Sequence, residues 1–123
     1  MIVAGFGFRE AARVESLRDA LGQAMAAGER LTHLSVPDDK AGANSIVSLA
    51  EQMDIPVLAV SAAAMAAIDT PTQSSVVLEK RGTGSVAEAV ALAAVGEGAQ
   101  LQGPRCISSD RLATCAIAIG GAS

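Results

Sequence analysis

The feature that most constrains this chain is an alternation of short apolar runs with segments of helical period. Residues 2–6, 31–36, 57–60, 99–102 and 113–119 are short, apolar and rich in Val, Ile, Leu and Ala. Between them, apolar residues recur at steps of three or four. Val14, Leu17, Leu21 and Met25 form one stripe, with Glu15, Arg18 and Asp19 off it. The spacing predicts a helix over residues 10–27, stopped at Gly28. A second helix is predicted from Asn44 or Ser45, either of which can cap it, through about Met53, with Ile46, Leu49, Ala50 and Met53 on one face. Ser61 opens a short alanine-rich helix to about Ile68. Buried strands alternating with helices define an α/β domain. A mainly parallel or mixed sheet of about five short strands is expected, covered by helices on both faces in three layers.

The clearest start signal is Gly84-Ser85-Val86-Ala87-Glu88. Ser85 and Glu88 stand at capping-box spacing, so each side chain can satisfy a free backbone N–H. The helix is predicted to run to about Val95. Its middle, residues 89–94, is apolar nearly all round, which places it centrally or packs it through small side chains. Residues 73–81 read as strand through Val76-Val77-Leu78, or as helix ending at Gly82 after Lys80-Arg81; helix is favoured.

Composition narrows the function classes. The chain has 123 residues, enough for one core, and is read as a single domain over residues 1–123. Half of the residues are hydrophobic, yet only two are aromatic, while alanine supplies 26 positions and glycine 12. Disorder needs the opposite balance of hydrophobicity and charge. The net charge of −4 and the lack of Trp and Tyr argue against a nucleic-acid partner. The apolar run over residues 55–68 is too short to span a membrane and contains Pro56. The first eight residues lack a basic n-region, so no signal peptide is read and a soluble, cytoplasmic protein is expected. Cys106 and Cys115 are nine apart with no His or Cys cluster. That is not a zinc spacing, and reduced thiols, no metal and no cofactor are expected. His33, the one histidine, falls in a strand pattern and reads as structural, so no Ser-His-Asp set is assigned.

In such folds ligands bind in the loops at the carboxyl ends of strands. Four loops carry candidate residues. In Gly5-Phe6-Gly7-Phe8-Arg9 the glycines let the chain turn after the first strand, and Arg9 can hold a carboxylate or stay solvated. The third glycine of a dinucleotide fingerprint is absent. Pro37-Asp38-Asp39-Lys40 can supply a general base, an anion contact or an ordinary polar loop. Arg81-Gly82-Thr83-Gly84-Ser85 leads into a helix N-terminus, where free N–H groups attract anions, but it lacks the Lys of a P-loop. The hydroxyls of Thr70-Pro71-Thr72 can cap a helix or touch a ligand.

Taken together, these segments resemble the cobalamin-biosynthesis family of CobE and the C-terminal domain of CbiG. The resemblance is carried by Ala4-Gly5-Phe6-Gly7-Phe8-Arg9, Lys40, Thr70-Pro71-Thr72, Gly82-Thr83-Gly84-Ser85-Val86-Ala87-Glu88-Ala89, and Ala113-Thr114 before Ala116-Ile117-Ala118. It covers nearly the whole chain in order. Where the family often has a glutamate shortly after the lysine, this chain has Ala43-Asn44; Arg105 stands roughly where the family tends to be basic. The resemblance implies work on a precorrin, a flat tetrapyrrole bearing many carboxylates. The implied ligand-binding set is Gly7, Phe8, Arg9, Asp38, Lys40, Thr72, Gly82, Thr83, Gly84, Ser85 and Glu88. Three roles stay open: a precorrin carrier or accessory factor, a hydrolase or lyase opening a precorrin δ-lactone with loss of a two-carbon fragment, and a non-catalytic subunit bound to other corrin-pathway enzymes. For the enzyme, Asp38, Asp39 or Glu88 would be the base and the Gly84-Ser85 amides the oxyanion donors; no catalytic residue is assigned. A homo-oligomer through the alanine-rich helix is also open.

Overall fold

A computed structural model describes residues 1–25, 28–68, 85–96 and 98–120. The chain runs β1 (Ile2–Phe8), α1 (Val14–Ala24), β2 (His33–Pro37), a 3-10 turn (Asp38–Lys40), α2 (Asn44–Met53), β3 (Val57–Val60) and α3 (Ala62–Ala66). After residues 69–84 it continues with α4 (Val86–Val95), β4 (Gln100–Leu101), β5 (Cys106–Ile107) and β6 (Ala113–Ile119). Among the described residues, six strands form one mixed sheet in the order β3-β2-β1-β6-β4, with β5 also paired to β6. Strands β1, β2 and β3 are parallel, in register through Ala4↔Leu34 and Leu34↔Val57. β6 runs antiparallel to β1 over its full length, from Ile2↔Ile119 to Phe8↔Ala113. β4 and β5 pair with the other side of β6 and amount to one edge strand interrupted at residues 102–105.

Strand alternation sends successive side chains to opposite faces. On one face Phe6, Leu34, Val36 and Ile117 pack with Leu17 and Leu21 of α1 and Ile46 and Leu49 of α2. Full burial of each such side chain stabilises by about 1.5–3 kcal/mol. On the other face α4 crosses β1, β6 and β2, with α3 beside it through Met65. Ser35 points to this face and its hydroxyl donates to the Val90 carbonyl at 2.9 Å.

The first loop is a correction. β1 does not turn at Gly5-Phe6-Gly7 but continues to Phe8. A Cβ on Gly5 would strike the Ala87 carbonyl oxygen and lie 2.7 Å from Ala91 N and 2.8 Å from Ala91 Cβ. Gly5 therefore serves the close approach of α4, and the alanines facing it are the matching small surface. A glycine needed for its missing Cβ looks the same in sequence as one needed for a turn.

Other boundaries also shift. α1 starts at Val14, not residue 10, because residues 9–12 form a turn closed by Ala12 N on the Arg9 carbonyl at 3.0 Å. Ser16 accepts from Arg13 N at 3.2 Å. The helix ends at Ala24, ahead of Gly28, which follows at φ +78°. Neither Asn44 nor Ser45 caps α2: Ala43 holds the cap position, and no side chain caps it. α3 ends at Ala66, short of Ile68, and its Ser61 cap accepts from Ala64 N at 3.1 Å. α4 spans the predicted residues, with Ser85 Oγ accepting from Glu88 N at 3.4 Å.

β5, absent from the sequence reading, exists because a tight hairpin returns it to β6. Arg111 takes φ +63°, and Asp110 accepts from the Ser108 and Ser16 hydroxyls and from Leu112 N. These donors, Ser108 first, hold the Asp110 carboxyl below its usual range. Cys106 and Cys115 are free thiols placed directly opposite each other on β5 and β6. Burial pushes the Cys115 thiol well up. No helix among the described residues is long and apolar enough to cross a membrane.

Candidate functional site

The carboxyl ends of β1 and β2 lie side by side. Extending their register puts Asp38 level with Phe8. There the chain turns through the 3-10 segment, and Lys40 folds back so that its Nζ sits 5.5 Å from the centroid of the Phe8 ring. That is a cation–π contact. It fixes a half-buried ammonium against a half-buried ring at the rim of the sheet. Arg9 follows, exposed, with its backbone N–H on the Leu112 carbonyl at 2.9 Å. Asp38 and Asp39 are exposed on the same turn, so the local field is mixed, with Arg9 and Lys40 as its positive points.

The first turn of α4 closes the adjoining side. A Cβ on Gly7 would lie 3.1 Å from Val86 Cβ, so α4 begins directly over Gly7. Ser85 is buried at the cap. The helix N-terminus thus opens at the same end of the sheet as Phe8, and its dipole favours an anion there. Thr114 of β6 completes the edge: its hydroxyl donates to the Gly7 carbonyl at 3.2 Å. Thr114 was not among the predicted ligands. Its signal was present, since it is the one hydroxyl in the strand Ala113–Ile119.

Six of the predicted positions meet at this end of the sheet: Gly7, Phe8, Arg9, Asp38, Lys40 and Ser85. Glu88 belongs to the same turn of α4 but looks elsewhere. It is fully buried, and its Oε2 accepts from the Arg105 backbone N–H at 2.9 Å. Thr72, Gly82, Thr83 and Gly84, and the segment at residues 73–81, lie outside the described residues. His33 stands at the opposite end of β2, its Nδ1 2.9 Å from Thr32 Oγ1. Among the described residues no three His, Cys, Asp or Glu side chains gather as a metal site. An open apolar depression of about 460 Å³ between α2 and β3, lined by Val47, Ile55 and Val57 among others, contains no predicted site residue.

The architecture is an open mixed α/β sheet whose β1 and β2 ends carry Lys40 over Phe8, beside the start of α4. The sequence profile of the family described as "Cobalamin synthesis G C-terminus" matches residues 2–118. The chain belongs to that family, and so to cobalamin biosynthesis. Among curated proteins nothing matches. Among solved structures, the chain is similar to CobE, described as a protein from the cobalamin (vitamin B12) biosynthetic pathway. That match has 31% identity and a TM-score of 0.83, covering 96% of this chain and 89% of CobE. It is also similar to cobalamin biosynthesis protein ChiG from Agrobacterium tumefaciens str. C58, at 27% identity and TM-score 0.75, covering 99% of this chain and all of the other. A putative cobalamin biosynthesis protein G homolog from Sulfolobus solfataricus shares the fold, with 19% identity and a TM-score of 0.71. The match covers 98% of this chain and 37% of that one.

Proposed function

We propose that the protein binds a precorrin, the polycarboxylate tetrapyrrole from which the corrin ring is built, as a carrier or accessory factor. The observation that supports this most is Lys40 held over Phe8 at the joined ends of β1 and β2. A flat ring bearing carboxylates needs an apolar surface and fixed cations along one edge. Phe8 offers the first, and Lys40 and Arg9 the second. The opening of α4 at Ser85 adds backbone N–H groups to the same edge. Net charge of −4 does not oppose this, because binding follows the local field.

A carrier binds without turnover. Lys40→Ala and Arg9→Ala are each expected to weaken precorrin binding by about 1–3 kcal/mol, the usual loss for a hydrogen bond to a charged group. Both losses should shrink as salt is raised, since these cations are partly or wholly exposed. Wild-type affinity in both variants would remove this edge as the binding site.

A further inference from the structure

Two thiols face each other at the edge of the sheet. Cys106 of β5 and Cys115 of β6 are in register in an antiparallel pair, and both are free. Residues directly opposite in such a pair project from the same face. Two positions further along, the Ser108 N–H donates to the Ala113 carbonyl at 2.9 Å. In the two-residue alternation of an antiparallel ladder this makes Cys106 and Cys115 a hydrogen-bonded pair, with Cα atoms about 5.5 Å apart. A disulfide spans Cα separations of about 4.4–6.8 Å, so the backbone is already within range. Opposed Cβ atoms stand about 4.5–5.5 Å apart and those of a disulfide about 3.5–4.5 Å, so the pair must close by about 1 Å.

The two strands differ in freedom to make that movement. β6 is paired with β1 along its whole length. β5 has two residues, set between the interruption at residues 102–105 and the hairpin to β6. The closure therefore falls on β5. The two thiols also differ in access. Cys115 is 0% exposed and belongs to the core that includes Phe6 and Ile117. Burial pushes its thiol well up, and Cys106 beside it adds to the rise. Cys106 is half-buried, so an external oxidant meets Cys106 first and Cys115 only through it.

We infer that Cys106 and Cys115 are a redox pair that closes to a reversible disulfide between β5 and β6, Cys106 attacking and Cys115 resolving. The oxidant is a small-molecule disulfide, of which oxidised glutathione is the example. The Cys106 thiolate attacks one of its sulfurs, expels one glutathione thiolate and keeps the other half as a mixed disulfide. Cys115 then attacks the Cys106 Sγ and expels the second glutathione. Each departing thiolate takes up the proton given up by the cysteine that displaced it. One disulfide is reduced to two thiols, and two protein thiols are oxidised to one disulfide. A bridge drawn across a gap wider than its relaxed span is more readily reduced, so excess thiol reopens it. None of this depends on the tetrapyrrole reading.

The test exposes the whole native protein to mixtures of oxidised and reduced glutathione, blocks remaining thiols with iodoacetamide, and reads intact and peptide masses. A urea-unfolded sample in the same mixtures shows that the oxidant is sufficient. The expected result is loss of both thiols together, no retained glutathione, a peptide link between Cys106 and Cys115, and return of both thiols with dithiothreitol. Cys115→Ala should stop at one glutathione held on Cys106, and Cys106→Ala should leave Cys115 unmodified. Should Cys115→Ala fail to fold, the wild-type peptide map decides alone. Three results would overturn the inference: native protein that keeps both thiols where the unfolded chain loses them, wild type that stops at a stable glutathione adduct on Cys106, or a link between two chains that grows with protein concentration.

Discussion

Replacing Gly5 by Ala should be the most damaging addition of a single methyl group to this fold. The new Cβ meets the Ala87 carbonyl oxygen, Ala91 N at 2.7 Å and Ala91 Cβ at 2.8 Å. Two of the three obstacles are backbone, so no rotamer change relieves them. To restore an ordinary 3.4 Å contact with Ala91 N, α4 must retreat by at least about 0.7 Å, and the nearer Ala87 oxygen demands more. A gap of that size forfeits a quarter to a half of the dispersion well along the interface. The interface contains the fully buried Ala87, Ala89, Val90 and Ala91. The loss is about 2–3 kcal/mol, the upper part of the overpacking range, and outweighs the roughly 0.5 kcal/mol gained by removing a flexible glycine. At roughly 3–5 °C per kcal/mol for a domain of this size, the melting temperature should fall by about 10 °C. The assay is thermal melting by circular dichroism, with urea unfolding as a second measure. Gly22→Ala is the control. Gly22 lies in α1 with open space around its Cβ direction, so that substitution should stabilise by about 0.5–1 kcal/mol. Gly5→Ala melting within 2 °C of wild type would refute the argument that glycine is there for the approach of α4.

Three further outcomes are expected. Ser35→Ala removes the hydroxyl that donates to the Val90 carbonyl and should cost about 1 kcal/mol by urea unfolding, with an unchanged m-value. Asp110 titrates lower in the folded state than its unfolded value of about 3.9, so its contribution is present above that pH and lost as pH falls through the folded value. Asp110→Asn should therefore melt below wild type at neutral pH and converge with it as pH falls through the lowered folded value; a constant gap would contradict the hydrogen bonding at the hairpin. In the native protein an aromatic disulfide reagent should attack the half-buried Cys106 first, and should attack Cys115, buried with a raised thiol, directly only after denaturant is added.

The sequence made some parts of this fold easy to read and hid others for physical reasons. β3, α4 and β6 fall where expected because each is a continuous apolar run with a clear boundary: Pro56 before β3 and Ser85 before α4. β5 was hidden, since two residues have no periodicity to detect and their pairing depends on Asp110 organising a turn to β6. Gly5 and Gly7 misled, because one composition serves both a turn and a helix contact. At the site, Phe8 and Lys40 were visible as residues, but not their contact, which needs the ends of β1 and β2 to be adjacent. Glu88 was legible through its spacing from Ser85, and the Ser85 half of that cap is present. Its bond to Arg105 was not legible, as it joins positions 17 residues apart through the interruption of the edge strand.

The central claim is that this member of the cobalamin family binds a precorrin without transforming it. The most direct test is an absorbance titration of the purified protein with precorrin intermediates, followed over time. The account predicts a saturable spectral shift that then stays constant, weakened by Lys40→Ala and Arg9→Ala. A shift that evolves into a new product spectrum would make the protein an enzyme, and no shift at all would remove tetrapyrrole binding from its function.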